Sequence, residues 1–405
     1  IYSTPWLTER HGYDPTFEYV KEKYDFFDKD AELSVKEIGD GNLNYVFRVQ
    51  DEKTGRSVIL KHSGVETRAR SGRHVDTDRN RIEAEILMLQ DKYASGYVPK
   101  IYGYDPVMCC MAMEDMKNYE VMRGALLKYE RYPFFADQIA TYMVNILLAT
   151  TDVVMDHKEK KKLVKSYINP DLCAITEQLV YSDSFGNFAG KNYVVDELKD
   201  YVKREIYEDK ELRLEGAKLK FDFMEHAQAL LHGDLHSGSI FINDERIKVF
   251  DPEFAFYGPL GYDLANVVAH TIFAKFHSTA MQEEGSAKNA FQEWTDSVIS
   301  ECVDLFIDKF RKKYDEICTD CMAKTEGFRE YYLGQVIHDA AGIAGCELIR
   351  RIVGVSKVKD ITDITDNALR AEQEKKMISI AKEFIKRRNE IFEGKQFLEI
   401  VKKNA

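Results

Sequence analysis

The stretch His-Gly-Asp-Leu-His-Ser-Gly-Ser at residues 232–239, followed after one short apolar run by Asp-Pro-Glu at 251–253, decides the fold prediction. It places one isolated carboxylate and one pair of carboxylates about a β-hairpin apart along the chain. A phosphoryl-transfer site needs this combination, because one acid orients a hydroxyl nucleophile while others hold Mg²⁺ on a nucleotide. The sequence therefore predicts a site for phosphoryl transfer.

Three acidic side chains are expected to meet at the end of a strand. Phe250 is the last apolar residue of a predicted strand and Asp251 is the first polar one, whereas Asp234 precedes the partner strand. Together with Glu253 these acids would repel each other strongly unless a divalent cation compensated their charge. The alternative, two unrelated turns, is disfavoured by the spacing of the two motifs.

Length and composition narrow the classes of protein. A chain of 405 residues suits two packed lobes better than one core. The formal net charge of −12 argues against a sequence-independent nucleic-acid binder and favours a small-molecule partner. No apolar run approaches the length of about 18 residues that a membrane span requires. The seven cysteines are scattered and odd in number, which favours a reducing, cytoplasmic location.

Hydrophobic patterning divides the chain into a β-rich part and a helical part. The predicted strands are 33–38, 45–49, 57–61, one around Ile101, and 107–113, with a helix at 78–92. The predicted long helices beyond Lys117 are 139–155, 193–207, 212–231, 290–314, 329–352 and 371–390, with one hairpin joining 239–242 to 247–250. The expected class is α+β, with an N-terminal arm and helix (1–30), a small nucleotide-binding lobe of antiparallel sheet and helix (31–116), and a large helical lobe for catalysis and substrate binding (117–405).

Two features of the small lobe suit a nucleotide. Glycines in the segment Gly-Asp-Gly-Asn at 39–42 would let backbone amides approach an anion, although this composition is also that of an ordinary hairpin turn. Lys61 ends an apolar strand, where its ammonium could meet phosphates. Glu83 on the following helix is its expected ion-pair partner, with Glu85 as the second choice. The alternative is a surface salt bridge worth about 0 to 1 kcal/mol.

The segment His232 to His236 resembles the catalytic loop of kinases that phosphorylate small molecules, including choline and aminoglycoside kinases. Five segments together resemble the 5-methylthioribose kinase family more narrowly. These segments are 39–44 (Gly-Asp-Gly-Asn-Leu-Asn), 169–173 (Asn-Pro-Asp-Leu-Cys), 232–240, 251–259 (Asp-Pro-Glu-Phe-Ala-Phe-Tyr-Gly-Pro) and 345–351 (Gly-Cys-Glu-Leu-Ile-Arg-Arg). The resemblance implies a bilobal protein-kinase-like fold with ATP and Mg²⁺ as cofactors.

The resemblance also implies roles for individual residues. Asp234 would be the base that orients the anomeric hydroxyl of the sugar and accepts its proton. Asp251 and Glu253 would hold Mg²⁺. The residues expected to contact ATP are Lys61 at the α- and β-phosphates, supported by Glu83, the glycine-loop residues Gly39, Gly41 and Asn42, and the backbone of Glu114 and Met116 at adenine.

Arg350 and Arg351 resemble twin arginines that face the sugar and the transferring phosphoryl group. Adjacent helical side chains diverge by about 100°, so one arginine is expected at the substrate and the other in support. Two cations in a last helical turn before Gly354 would also be favoured by the helix dipole alone. The arginine-rich segment 62–74 is interpreted as a solvated loop, or alternatively as one that closes on phosphates.

The activity implied by the resemblance is ATP-dependent phosphorylation of the 1-hydroxyl of 5-methylthioribose, a step of methionine salvage, by a homodimer. Two alternatives stay open at this point. One is a kinase of another 5-substituted or 5-deoxy pentose, or of another small hydroxyl compound. The other is a nucleotide-binding pseudokinase, which is disfavoured because Lys61, Asp234, Asp251 and Glu253 are all present.

Overall fold

A computed structural model describes residues 16–38, 44–63 and 76–405. The predicted glycine-loop residues Gly39, Gly41 and Asn42, and most of the arginine-rich segment, lie outside the described residues. The chain divides into two compact units, Ile1–Tyr119 with Lys248–Phe254 (unit 1) and Glu120–Ile247 with Ala255–Ala405 (unit 2). The predicted domain boundaries at residues 30 and 116 remain a prediction.

Unit 1 consists of a small antiparallel sheet and two helices. Its elements are α1 (Thr16–Lys23), β1 (Leu33–Glu37), β2 (Tyr45–Asp51), β3 (Ser57–His62), α2 (Asp78–Tyr93), β4 (Ile101–Asp105) and β5 (Cys110–Glu114). The strand order is β1-β2-β3-β5-β4. Alternate residues point to the same face of a strand, and Phe47, Val49, Val58 and Leu60 therefore share one core with Val20 of α1.

The predicted strands and helix of unit 1 form within one or two residues of their expected bounds, except the last strand. The apolar run at 107–113 becomes a strand only from Cys110, because a turn precedes it. The Asp105 carboxylate accepts the backbone N–H of Val107 at 3.0 Å, and Cys109 has a φ of 46°.

Unit 2 is predominantly helical. Its helices are α3 (Met122–Leu127), α4 (Phe135–Ala149), α5 (His157–Ser166), α6 (Pro170–Thr176), α7 (Asp183–Gly186), α8 (Lys199–Val202), α9 (Lys210–Glu225), α10 (Tyr262–Met281), α11 (Ser286–Ile317), α12 (Phe328–Val353), α13 (Lys359–Thr362), α14 (Asn367–Lys386) and α15 (Gly394–Asn404). Its short strands are β6 (Glu120–Val121), β7 (Ala229–Leu230), β8 (Ile240–Ile242) and β10 (Tyr257–Gly258), and β9 (Ile247–Val249) runs on into the segment of unit 1. The expected α+β class is confirmed.

The helix predicted at 139–155 is displaced along the chain, since α4 spans Phe135–Ala149. Three further expectations for unit 2 need correction. The helix predicted at 212–231 ends at Glu225, and Ala229–Leu230 form a strand that pairs with Tyr257–Gly258. The segment predicted as one helix at 193–207 is helical only from Asp196, and it changes from a 3₁₀ turn through the short helix α8 to a π-helical turn. Helix α10 was missed although polar residues such as Asp263, Asn266 and His270 recur in it at helical spacing, and these are buried together with the rest of residues 262–278.

Membrane insertion has no support among the helices. In the described part of the chain, none of them combines the length and the apolar composition that crossing a bilayer requires.

Candidate active site

The first part of the candidate site is a cluster of charges in unit 1. Lys61 is fixed on the central strand β3 by pairing with Val46 and Met111. Its Nζ lies 2.7 Å from the Glu83 Oε1 and also contacts the Asp251 carboxylate. The structure thus brings Lys61 and Glu83 together as the sequence predicted. Glu85, the second choice, pairs with Arg81 at 2.8 Å.

Asp251 and Glu253 complete this cluster from the segment that follows β9. Asp251 has a φ of 66°, in the left-handed region that a non-glycine residue rarely adopts. Glu253 is buried and accepts a hydrogen bond from Asn44 Nδ2 at 2.9 Å. One carboxylate oxygen each of Glu83, Asp251 and Glu253 lies within 4.8 Å of the other two. Three carboxylates therefore lie close together, and two of them, those of Glu83 and Asp251, contact the ammonium of Lys61.

The electrostatics of the cluster fit a divalent cation. Burial raises the pKa of Glu83 to about 8, with the neighbouring carboxylates adding to the effect and Lys61 opposing it. Burial and Asp251 likewise raise the pKa of Glu253 to about 7. The Glu83 Oε2 is buried and has no hydrogen-bond partner in the described part of the chain. Clustered carboxylate oxygens with excess negative charge are the ligands that Mg²⁺ prefers.

Arg79 and Asn44 also belong to this cluster, and the sequence analysis assigned a role to neither. Arg79 is 2% exposed, and its Nη2 donates to the Asn44 Oδ1 at 3.2 Å, while its Nε lies 3.9 Å from the Glu253 Oε2. Arg79 lies in a strongly charged run at the start of α2, which resembles a solvated helix face. Its spacing of four residues from Glu83 places both on one face of the helix, and this was the signal available.

Glu114 and Met116, the residues expected at adenine, lie at and just beyond the end of β5. The Glu114 N–H donates a hydrogen bond to the Lys100 carbonyl at 2.8 Å, and the Glu114 carboxylate accepts one from Lys248 Nζ at 2.6 Å. The Met116 carbonyl accepts the N–H of Tyr119 at 2.9 Å. An adenine contact with Glu114 would therefore use its carbonyl oxygen.

The second part of the candidate site is the loop around Asp234 in unit 2. Gly233 has a φ of 83°, which favours glycine at this position. Asp263 at the start of α10 is 2% exposed and accepts the N–H groups of His232 at 2.8 Å and Gly233 at 3.1 Å. Asp263 thus fixes the backbone of the loop that presents Asp234. The predicted convergence of Asp234 with Asp251 and Glu253 stays a prediction.

Three basic side chains surround the Asp234 carboxylate. His236 Nε2 lies 3.3 Å from Oδ2, and the Nη2 atoms of Arg350 and Arg351 each lie 3.6 Å from Oδ1. Burial alone would raise the pKa of Asp234, but His236 and the two arginines outweigh it and hold the pKa well below its ordinary value. An ionised Asp234 is able to accept a hydrogen bond from a substrate hydroxyl at neutral pH.

The twin arginines differ from the sequence expectation in one respect. Adjacent helical positions were expected to separate the two side chains, yet both guanidinium groups reach the same Asp234 oxygen at equal distance. The long arginine side chains bend toward Glu347, which lies three and four residues earlier in α12 and bonds to both. Which arginine contacts a substrate stays a prediction.

Arg123 is a further residue that sequence reasoning missed. Its Nε lies 3.4 Å from the Ser237 hydroxyl, and a Cβ on Gly238 would lie 3.0 Å from its Cζ. Burial and the nearby Arg351 lower the pKa of Arg123. Arg123 belongs to the short helix α3, far from Asp234 in sequence, and no motif singled it out.

The chain is similar to known phosphotransferases. Residues 164–294 match the family described as "Phosphotransferase enzyme family". The chain is 35% identical over 371 residues to the methylthioribose kinase of Geobacillus sp. (strain WCH70), covering 91% of this chain and 90% of the relative. It is 34% identical over 370 residues to that of Bacillus cereus (strain AH820), covering 91% of each. The choline kinase structure from Cryptosporidium parvum Iowa II matches with a TM-score of 0.47 and 14% identity, over 88% of this chain and 95% of that one.

Proposed function

Because the chain belongs to the methylthioribose kinase family, we propose that it transfers the γ-phosphoryl group of ATP to the 1-hydroxyl of 5-methylthioribose, a step of methionine salvage. The observation that carries the proposal is the ionised Asp234 with two arginines at 3.6 Å from one of its oxygens. This arrangement suits a hydroxyl nucleophile that must be oriented next to a group with developing negative charge.

On the acceptor side, Asp234 accepts the hydrogen bond of the 1-hydroxyl and takes its proton as the new bond to phosphorus forms. Arg350 and Arg351 then compensate the negative charge of the transferring group. Asp263 contributes indirectly, because it holds the two N–H groups that precede Asp234. The protein performs little covalent chemistry in phosphoryl transfer, so these positioning and charge effects provide most of the rate enhancement.

On the nucleotide side, Lys61 contacts the α- and β-phosphates and Glu83 holds its ammonium. Asp251 and Glu253 hold Mg²⁺, which when bound neutralises phosphate charge. The raised pKa values of Glu83 and Glu253 support this assignment, because the three acid groups of the cluster outnumber the two basic groups described beside them, Lys61 and Arg79. The remaining proposed contacts with ATP are Gly39, Gly41, Asn42, Glu114 and Met116.

Assembly as a cytoplasmic homodimer is part of the proposal and is based on the family resemblance. Light scattering of the purified protein tests the assembly: a mass near twice the 46.8 kDa of one chain is expected. A mass near 46.8 kDa at micromolar concentration would contradict it.

A coupled assay of ADP release tests the activity. Methylthioribose, ribose, 5-deoxyribose, choline and an aminoglycoside are compared as acceptors at saturating MgATP. We expect the highest kcat/KM with methylthioribose. Turnover only with choline or the aminoglycoside would refute the proposal, and nucleotide binding without turnover of any acceptor would favour a pseudokinase.

The Asp234→Asn variant tests the role of the base. Its kcat should fall roughly 10²- to 10⁴-fold, the usual contribution of general acid–base catalysis, while the KM for ATP changes little. Asp366→Asn is the matched control, because Asp366 caps α14 and asparagine is an equally good N-cap. Equal losses in kcat and in ATP affinity would contradict the assigned role.

A further inference from the structure

We propose that Glu347 is the positioning residue for the twin arginines, holding both guanidinium groups beside Asp234 without letting them close on it. This inference rests on the proposed function, since it concerns the acceptor side of the same reaction. Glu347 lies in α12 and is 1% exposed. It accepts hydrogen bonds from Arg350 Nε and from Arg351 Nε, the latter at 2.7 Å.

The two ends of each guanidinium group serve different acids. The Nε atoms bond to Glu347, whereas the Nη2 atoms lie 3.6 Å from the Asp234 Oδ1. A hydrogen bond between nitrogen and oxygen spans about 2.7 to 3.2 Å, so Asp234 is near both cations but bonded to neither. Glu347 thus takes the strong contact and leaves the Asp234 oxygens accessible to a substrate hydroxyl.

The charge of Glu347 is secured by its surroundings. Burial alone would raise its pKa, but Arg350, Arg351 and His270 hold it well below the ordinary value. Without this carboxylate, Asp234 would be the one remaining acid, among the residues that the structure describes, within 4.0 Å of both guanidinium groups. Attraction between opposite charges would then draw the arginines onto the catalytic carboxylate, because a bidentate arginine–carboxylate pair is strong in a buried site.

Glu347 is also connected to the loop that presents Asp234. His270 Nε2 lies 3.1 Å from the Glu347 Oε1, and its Nδ1 lies 3.5 Å from the Ser237 hydroxyl. Burial lowers the pKa of His270 well below its ordinary value, so the ring is neutral and donates to Glu347 as a hydrogen-bonding group. Ser237 follows Asp234 by three residues. Glu347 thus bonds to both arginines and to His270, and the His270 ring lies next to the loop that presents Asp234.

Glu347→Gln tests the inference because it keeps the size of the side chain and removes its charge. The kcat/KM for methylthioribose should fall roughly 10- to 100-fold, as expected when charged hydrogen bonds are lost and reacting groups are misplaced. The KM for ATP should stay within about twofold, since Arg350 and Arg351 are assigned to the charge that develops on the γ-phosphoryl group during transfer and not to the binding of ATP. Glu347→Asp, which keeps the charge on a shorter side chain, should recover part of the loss.

Glu374→Gln is the matched control. Glu374 is also 1% exposed in unit 2 and accepts a hydrogen bond from Arg370 Nε at 3.0 Å, across one helical turn. This variant should lower the melting temperature as Glu347→Gln does and leave the kinetics of the sugar unchanged. A structural role alone would make the two glutamine variants behave alike.

Two outcomes in Glu347→Gln would overturn the inference. One is unchanged kinetics with the sugar, and the other is an equal rise of the KM for the sugar and the KM for ATP. If the glutamine variant does not fold, Glu347→Asp decides by the same criteria. Calorimetry measures the affinity of each variant for methylthioribose without turnover. If the wild-type protein is inactive, the proposed function is refuted, but the effect of Glu347 on sugar binding is still measured.

Discussion

Replacing Lys61 by methionine is expected to cost both stability and activity. The Lys61 and Glu83 side chains are 9% and 1% exposed, and they pair at 2.7 Å. Removing one partner of a buried ion pair leaves an uncompensated charge and costs about 3 to 5 kcal/mol of unfolding free energy. We expect a value near the lower limit, roughly 3 kcal/mol, because the raised pKa of Glu83 lets it take up a proton instead.

Urea denaturation at pH 8 measures the stability, and steady-state kinetics measure the activity. The kcat/KM for ATP should fall at least about 100-fold, because electrostatic contacts at the transferring group are usually the largest catalytic contribution. Lys275→Met is the matched control: the Lys275 side chain is 8% exposed and pairs with Asp296 at 2.8 Å in unit 2. It should lose comparable stability and keep its ATP kinetics.

A double variant makes the test sharper. In Lys61→Met/Glu83→Gln the buried Glu83 charge that the lysine balanced is also removed, so the loss of stability should be smaller than the sum of the two single losses. Additive losses would show that the two side chains do not interact energetically. A Lys61→Met protein with unchanged stability and ATP kinetics would refute both the ion pair and the phosphate contact.

Three further outcomes are expected. Asp263→Ala leaves two buried N–H groups of the Asp234 loop without an acceptor, so the unfolding free energy should drop by about 3 kcal/mol, and equal stability in urea would contradict this. Glu253→Gln should reduce the rise in melting temperature that Mg²⁺ with ATP produces, and an unchanged rise in a thermal scan would remove Glu253 from the metal site. Burial, and to a smaller extent the Asp222 charge, raises the pKa of Asp339 to about 7. Between about pH 4 and 7 the Asp339 carboxyl is therefore protonated in the folded protein and ionised in the unfolded one. The unfolding free energy of the wild type should fall as pH rises through this window, and in Asp339→Asn this fall should be smaller. A urea midpoint that is the same at pH 5 and pH 8 in both proteins would contradict the prediction.

The small sheet was predictable because its strands alternate in polarity. Phe47 and Val49 in β2, like Val58 and Leu60 in β3, lie on one face, and that period is visible in the sequence. Helix α10 shows the opposite case. Its residues 262–278 are all buried, so its polar residues, such as Asp263 and His270, face neighbouring elements and do not mark a solvent-exposed side.

The candidate site was predictable where a residue type was unusual for its place. A lysine that ends an apolar strand and a glutamate on the next helix identified the Lys61–Glu83 pair. Arg79 and Glu347 were not assigned a role, since charged residues in helices are mostly solvated and only the packing shows them to be buried. Glu347 lies in the segment 345–351, in which the two adjacent cations Arg350 and Arg351 are the more unusual feature.

Residues Lys248–Phe254 belong to unit 1 although they follow the first segment of unit 2 in the chain. This order affects how the protein is synthesised and how it can be divided into fragments. The Val249 N–H bonds to the Tyr97 carbonyl at 2.7 Å, and Asp251 meets a lysine 190 positions earlier in the chain. A ribosome must therefore synthesise Glu120–Ile247, nearly half of the helical unit, before Asp251 and Glu253 emerge. A fragment that stops at Tyr119 would contain Lys61 but lack Asp251 and Glu253. Cutting the chain at one place therefore cannot separate unit 1 from unit 2.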